Sequence, residues 1–221
     1  MIVAIDGPAG AGKSTVARII AQKLGFLYID TGAMYRALTL KALEEKIDVS
    51  DSNRLIKMAK DSSIDLSNNP DGSLKILLEN QDVSLKIREP RITKLVSDIA
   101  KIKEIREIML QLQRRLGRQH NAVLDGRDIG TVVFPDADKK FYIDAKFPER
   151  VKRRHKELND SGQNMTLGDV ESDLHYRDTV DSTRKVAPLK KADDAVYVDT
   201  TDMSIEEVVE KILREIQVKS Q

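Results

Sequence analysis

A chain of 221 residues with 37 Lys and Arg against 36 Asp and Glu carries a net charge of +1, so it has no bulk attraction to nucleic acid or to an anionic membrane. It contains no cysteine, which excludes disulfides, cysteine-ligated metal and thiol catalysis together. Its three histidines, His120, His155 and His175, are scattered and offer no zinc site.

The length suits one well-packed α/β domain with an inserted lobe. No apolar run approaches the roughly 20 residues of a membrane span. A strand is expected from residue 2 onward, leaving no room for a leader, so a cytoplasmic enzyme is the expectation.

The first element is a hydrophobic strand, Ile2-Val3-Ala4-Ile5-Asp6, followed by Gly7-Pro8-Ala9-Gly10-Ala11-Gly12-Lys13-Ser14. That segment fits G-x-x-x-x-G-K-[ST], the phosphate-cradling P-loop. Glycines let consecutive amides turn inward as an anion nest, and the helix opening at Lys13 adds its positive end. Val16, Ala17, Ile19, Ile20 and Leu24 then recur at helical spacing up to Gly25. Gly7, Pro8, Ala9, Gly10, Ala11, Gly12, Lys13, Ser14 and Thr15 are therefore the expected ATP-binding segment. By the motif's mechanics Lys13 reaches the β and γ phosphates and the Ser14 hydroxyl ligates Mg²⁺.

Phe26 to Asp30 is a second apolar run, and strand–helix alternation predicts a parallel doubly wound sheet. A helix is expected from about Ala33 to Glu45. Thr31 and Arg36, just past a strand's carboxyl end, are candidates for a second substrate. From about Ile47 to Arg88 the rhythm changes: a helix over 51–60, then short antiparallel strands at 64–66, 74–78 and 83–87, with a turn at Asn68-Asn69-Pro70-Asp71-Gly72. This reads as a lobe inserted into the βα series.

Pro90 opens a helical region that carries Ser97 and Arg106, neither singled out by pattern. Ala122 to Asp128 is a strand running into a turn. Asp125 there is placed to act on a metal's water shell, although Asp-Gly is also a common plain turn. Lys140 to Asp144 gives the fourth core strand. Arg150, Lys152, Arg153, Arg154 and Lys156 follow within one short helix. Such a run is a solvated face or a lid that closes arginines over phosphates, with Asn159 to Gly168 as its polar loop. A later helix carries Arg177, Asp181 and Arg184 on one face. Ala195 to Asp199 is the fifth core strand, and Ser204 with Glu207 forms a capping box for a final amphipathic helix.

One phosphate site plus arginines on several elements points to an enzyme that holds a second anionic substrate against a triphosphate. If the acceptor is a phosphate monoester, its second pKa of about 6 leaves the attacking oxygen ionised at pH 7. No general base is then required.

With these stretches on the page, the chain resembles the bacterial-type cytidylate (CMP) kinases along nearly its whole length. The resemblance rests on Asp6 to Ser14, Asp30-Thr31-Gly32-Ala33-Met34-Tyr35-Arg36, Asp125-Gly126-Arg127-Asp128-Ile129-Gly130-Thr131-Val132-Val133-Phe134-Pro135 and Val186-Ala187-Pro188-Leu189. The first stretch is generic to P-loop kinases, and the last two together are far more specific. Thr31 stands where the family often has Ser, and Met34 where it often has Ile. Ser14 occupies a position that is Gly or Ser in the family.

The resemblance implies a single P-loop kinase domain with a five-stranded parallel sheet. Its core would span about 1–46, 89–149 and 165–221. It also implies an inserted nucleotide-monophosphate lobe at about 47–88 with a small antiparallel sheet, and a short lid at about 150–164.

It implies the reaction of ATP with CMP or dCMP, assisted by Mg²⁺, in a monomer. Ser97, Arg106 and Asp128 would read cytosine, and Asp181 with Arg177 would hold the ribose. Arg36, Arg127 and Arg184 would grip the acceptor phosphate, with Thr31 and Asp125 in the same site. Lys13, Arg127, Arg184 and the lid's Arg150 and Arg154 would be the catalytic cations. A kinase for UMP, AMP or another small acceptor, and a P-loop module that transfers nothing, remain the alternatives.

Overall fold

The structure, a computed structural model, describes residues 1–69 and 73–217; the centre of the expected turn, Pro70-Asp71-Gly72, lies outside the described residues. In chain order the first elements are β1 (Ile2–Asp6), α1 (Lys13–Leu24), β2 (Leu27–Asp30) and α2 (Thr31–Glu44). The lobe follows as α3 (Ser52–Lys60), β3 (Ile64–Asn68), β4 (Leu74–Leu78) and β5 (Gln81–Asp82), closed by a 3₁₀ turn at Lys86–Arg88. Then come α4 (Pro90–Ala100), α5 (Lys103–Arg118), β6 (Ala122–Gly126), a π turn at Ile129–Val133 and β7 (Lys139–Asp144). The chain continues through α6 (Phe147–Asp160), α7 (Leu167–Thr183), β8 (Val196–Asp199) and α8 (Ile205–Gln217).

Five strands form one parallel sheet in the order β2-β6-β1-β7-β8. β1 and β6 are apolar almost throughout because helices cover both faces of a parallel sheet. All five carboxyl ends lie along one edge, and four of them finish on an aspartate: Asp6, Asp30, Asp144 and Asp199. Asp125 on β6 pairs in register with Asp30 on β2. Ligands of open parallel sheets bind at this edge.

The helices start where their caps put them. Asp30 accepts a hydrogen bond from the Ala33 amide at 2.8 Å, so α2 begins two residues earlier than the sequence expectation. Thr166 and Asp169 form a full capping box at the start of α7. Helix α6 runs on to Asp160 and α7 starts at Leu167, so the polar loop expected at 159–168 is shortened to 161–166.

The lobe departs from expectation at its last strand. Residues Val83 to Ile87 alternate in polarity but form no strand. The Asp82 carboxylate accepts from the Ser84 amide and hydroxyl, and the Ser84 hydroxyl takes the amide of Ile76. That side-chain turn competes with the ladder and bends the chain into the 3₁₀ turn. The third strand is instead the two-residue β5, paired antiparallel to β4.

Leu55, Ile64, Ile76 and Leu78 of the lobe belong to the same buried apolar cluster as Ile5 and Ile20 beneath the sheet. A second, smaller cluster unites Val151 and Leu158 of α6, Val170 and Leu174 of α7, and Ala9.

Candidate active site

A cavity of about 640 Å³ opens along the carboxyl edge of the sheet. One end is the loop between β1 and α1. Gly7, at φ +147°, passes so close to β7 that a Cβ would stand 1.9 Å from the Ile143 carbonyl oxygen, so no other residue fits there. Gly12 caps α1 with no side-chain acceptor, leaving the first-turn amides for an anion. Ala9 to Thr15 line the cavity, whereas Gly7 and Pro8 support the loop from behind.

Lys13 is buried at this end and donates one hydrogen bond, 2.6 Å, to the Pro8 carbonyl. Its other two protons are free for oxygen acceptors. Burial, then the nearby Arg127, depresses its pKa well below the usual lysine range. Asp125 shifts the other way, raised by burial and by Asp30, while its Oδ1 accepts from the Tyr28 hydroxyl at 2.8 Å. The Thr31 hydroxyl donates to the Asp125 carbonyl at 2.7 Å, tying the start of α2 to the end of β6.

The other end is a chain of alternating charges drawn from three elements. Arg106 on α5 meets Asp128 Oδ2 at 2.5 Å, and Arg184 meets Asp128 Oδ1 at 3.4 Å. Arg184 also meets Asp181 Oδ1 at 3.4 Å, and Arg127 meets Asp181 Oδ2 at 2.8 Å. Three guanidiniums share two carboxylates, so the chain is cationic overall. Burial alone would raise Asp181, but Arg127, Arg184 and Arg177 outweigh it and hold its carboxyl below the usual range. Burial and the neighbouring Arg36 and Arg127 lower Arg177 to about 10, which still leaves it charged at pH 7.

The network holds its shape through backbone contacts. Asp6 accepts from the Ile129 and Gly130 amides at 2.8 and 2.7 Å, fixing the turn that carries Arg127 and Asp128. Arg184 is not on the helical face expected for it. Helix α7 ends at Thr183, and Arg184, its extended C-cap residue, is fixed by a 2.7 Å bond to the Ala187 carbonyl.

All the residues expected at the acceptor line the cavity: Thr31, Arg36, Ser97, Arg106, Asp125, Arg127, Asp128, Arg177, Asp181 and Arg184. Arg154 does so as well. Arg150 does not, contrary to the expectation of a lid arginine over the phosphates. Its guanidinium is buried against the Ala145 and Ala9 carbonyls and the Asp178 carboxylate.

Sequence reasoning passed over three lining features. Arg88 reaches the cavity from the 3₁₀ turn, at a position no periodicity marks. Arg153, seen only as part of a basic run, donates to the Thr200 hydroxyl and to the Thr200 and Thr201 carbonyls at 3.0, 2.6 and 3.2 Å. It thereby fixes the segment from Thr200 to Ile205 that walls the cavity near α1. The capping box at Ser204 marked that segment as a helix start but gave no sign that it faces a cavity.

The cytidylate kinase family profile matches residues 3–218. A cytidylate kinase of Clostridioides difficile is 48% identical over 218 residues, covering 99% of each chain. One from Carboxydothermus hydrogenoformans is 46% identical over 220 residues, covering 100% of this chain and 99% of that one. Among solved structures, an uncharacterized protein from Eubacterium ventriosum aligns at 11% identity, TM-score 0.56, with 99% of each chain covered. The shikimate kinase of Bacteroides thetaiotaomicron aligns at 11% identity and TM-score 0.50, again over 99% of each. These two likenesses concern the fold alone. The sequence matches, spanning nearly every residue, make the chain a member of the cytidylate kinase family.

Proposed function

We propose that the protein transfers the γ-phosphoryl group of ATP to CMP or dCMP, giving ADP and CDP or dCDP. The observation that carries this reading is the two-ended cavity, with a phosphate loop at one end and a cationic, hydrogen-bonding wall at the other. Arg106, Arg154 and Arg177 each keep a buried Nε with no partner among the described residues. Buried donors of this kind demand acceptors, and a nucleotide supplies them.

In this reading the Ala9–Thr15 loop and Lys13 hold the ATP phosphates. A phosphate beside Lys13 restores the ammonium that burial disfavours, so binding and protonation reinforce one another. Ser97 and Arg106 donate to N3 and O2 of cytosine, and Asp128 accepts from its N4 amine. Asp128 keeps unused lone pairs despite its two arginine contacts, since a carboxylate has about four acceptor sites. Arg177 and Asp181 hold the ribose. Arg36, Arg127 and Arg184 fix the acceptor phosphate, with Thr31 and Asp125 bordering it.

The acceptor's ionised oxygen attacks the γ-phosphorus as the bond to the ADP oxygen breaks. Lys13, Arg127 and Arg184 face the charge that develops, and Arg154 is the lid residue placed to join them. Lobe 47–88 and the lid close over the pair of nucleotides, excluding water. The proposed enzyme acts as a cytoplasmic monomer on small-molecule nucleotides.

Among the described residues no cluster of three acidic or histidine side chains is built to hold a metal. The exposed Ser14 hydroxyl and Asp125 both line the cavity with oxygen atoms of the kind a Mg²⁺ accepts, and they would help hold an ion that arrives with the nucleotide. When bound, the ion would supply positive charge that offsets the phosphate charge of the nucleotide.

The test is ADP formation from ATP and Mg²⁺ with CMP, dCMP, UMP, AMP and GMP offered singly, and with no acceptor. Strong turnover with CMP and dCMP alone is the expected result. Turnover without acceptor, or preference for a purine monophosphate, overturns the reading.

A further inference from the structure

Ala9 is a P-loop residue that packs outside the main core. It is 3% exposed and sits in the small apolar cluster between α6 and α7, with Val151, Leu158, Val170 and Leu174. Its peptide groups are bracketed there as well. The Ala9 amide donates to Asp178 Oδ1 at 3.3 Å, and the Ala9 carbonyl accepts from Arg150 Nη1 at 2.9 Å. The same Nη1 meets Asp178 Oδ2 at 2.5 Å, so an ion pair closes a ring around a single residue of the loop.

Arg150 is held in turn. Its Nε donates to the Ala145 carbonyl at 3.0 Å, and its guanidinium lies 5.1 Å from the centre of the Phe147 ring. Gly10 follows at φ +76°, where a Cβ would stand 3.0 Å from the Arg150 carbonyl oxygen. The loop crown therefore lies directly on α6.

We infer that Arg150 and Asp178 are positioning residues for the phosphate loop, acting through the Ala9 peptide and coupling the loop to the two lid helices. The inference rests on the reading of this loop as the ATP phosphate site. An Ala9 amide committed to Asp178 faces away from the cavity, and its carbonyl is anchored by Arg150. Both peptide planes flanking Ala9 are thus fixed, which sets the approach of the amides from Gly10 onward. Charge-assisted bonds make this stronger than loop sterics alone. Because α6 and α7 flank the lid loop at 161–166, their packing and the loop geometry cannot change independently.

The experiment is a double-mutant cycle on the full chain with Arg150→Met, Asp178→Ala and the pair, reading the KM for ATP and for CMP separately. The ATP KM should rise about tenfold or kcat should fall about as much, with the CMP KM within about twofold of wild type. The double variant should resemble the worse single, since both act on one ring. Asp178→Asn, which keeps an oxygen for the Ala9 amide but loses the charge, should fall between Asp178→Ala and wild type. Equal rises in both KM values, wild-type kinetics, or independent effects that multiply in the double would overturn the inference.

If Arg150→Met does not fold, the variants at the half-buried Asp178 carry the same comparison by themselves. Lys13→Met separates the two readings. If it leaves ATP binding untouched, the phosphate-site assignment itself fails. If it abolishes turnover while the Asp178 variants behave as wild type, the positioning role alone fails.

Discussion

Arg106 and Asp128 form a buried ion pair: Arg106 Nη2 stands 2.5 Å from Asp128 Oδ2, with the two residues 6% and 7% exposed. The pair is steadied by the Ala100 carbonyl at 3.2 Å and by the Tyr35 ring 5.6 Å beneath the Arg106 guanidinium. In the proposed function such order favours base recognition, because side chains held by these contacts have little freedom to lose on binding.

Asp128→Ala should therefore raise the CMP KM by about 10- to 100-fold and leave the ATP KM within about threefold, the loss expected for a hydrogen bond to a charged group. It should also lower stability by about 3 kcal/mol, since Arg106 and Arg184 lose their shared carboxylate. Steady-state kinetics with each substrate varied, plus urea unfolding, checks both. Equal effects on the two KM values would remove Asp128 from the base site.

Lys13 sets function against stability. Its ammonium is buried near Arg127 and Arg177, with its pKa depressed, so the nucleotide-free protein bears a cost for keeping it. Lys13→Met should lower kcat roughly a hundred- to a thousandfold while the unfolding midpoint of the free protein stays level or rises. A clear fall in the midpoint would mean that the bond to Pro8 matters more to the fold than the charge costs.

The sheet was legible in the sequence because its strands read as short apolar runs: β1 and β6 are buried almost throughout, and even the edge strand β8, which leaves Val196 and Tyr197 exposed, sits in the run from Ala195 to Asp199. The P-loop was legible because its glycines and Lys13 answer a backbone requirement that few other sequences meet. Val83 to Ile87 misled, since alternation implies a ladder whereas Asp82 and Ser84 divert the backbone hydrogen bonds; Leu85 is left 86% exposed.

The basic run on α6 shows a different limit. Composition gives the number of cations but not their direction, which depends on how the helix rolls against α7. Arg150 turns to the P-loop, Arg153 to the Thr200 carbonyls and Arg154 to the cavity. Arg88 went unmarked because its role comes from where the lobe returns to the core, a tertiary fact.

Arg36 is a half-buried cation with no hydrogen bond or ion pair among the described residues, and desolvation holds its pKa below the usual range. Asp30 opposes that shift, while Arg154, Arg88 and Arg127 add repulsion. Arg36→Gln should therefore raise the stability of the free protein by about 1 kcal/mol. The same substitution should weaken CMP binding about tenfold or more, losing one charge-assisted contact to phosphate. Thermal shift checks the contrast: the rise in midpoint given by CMP should shrink in the variant and the rise given by ATP should remain. Loss of both responses would assign Arg36 to the whole cavity and not to the acceptor.

Asp6 gives the pH dependence. Its carboxyl takes the Ile129 and Gly130 amides, yet burial pushes its pKa up from 3.8 to about 6. The folded state thus binds this proton more readily than the unfolded chain. The stability it contributes is complete below pH 3.8 and is lost as pH rises through about 6. The change amounts to about 3 kcal/mol, at about 1.4 kcal/mol per pKa unit. Asp6→Asn removes the titration and cannot serve both amides as an acceptor, so it should be less stable than wild type by about 1–3 kcal/mol at pH 7. Below that, the wild-type advantage should widen as pH falls from about 7 to about 4.5, because only the wild type gains the proton linkage. Urea unfolding of both proteins across that range measures the gap. A gap that stays constant or narrows toward acid would mean that the two amides outweigh burial and keep Asp6 ionised.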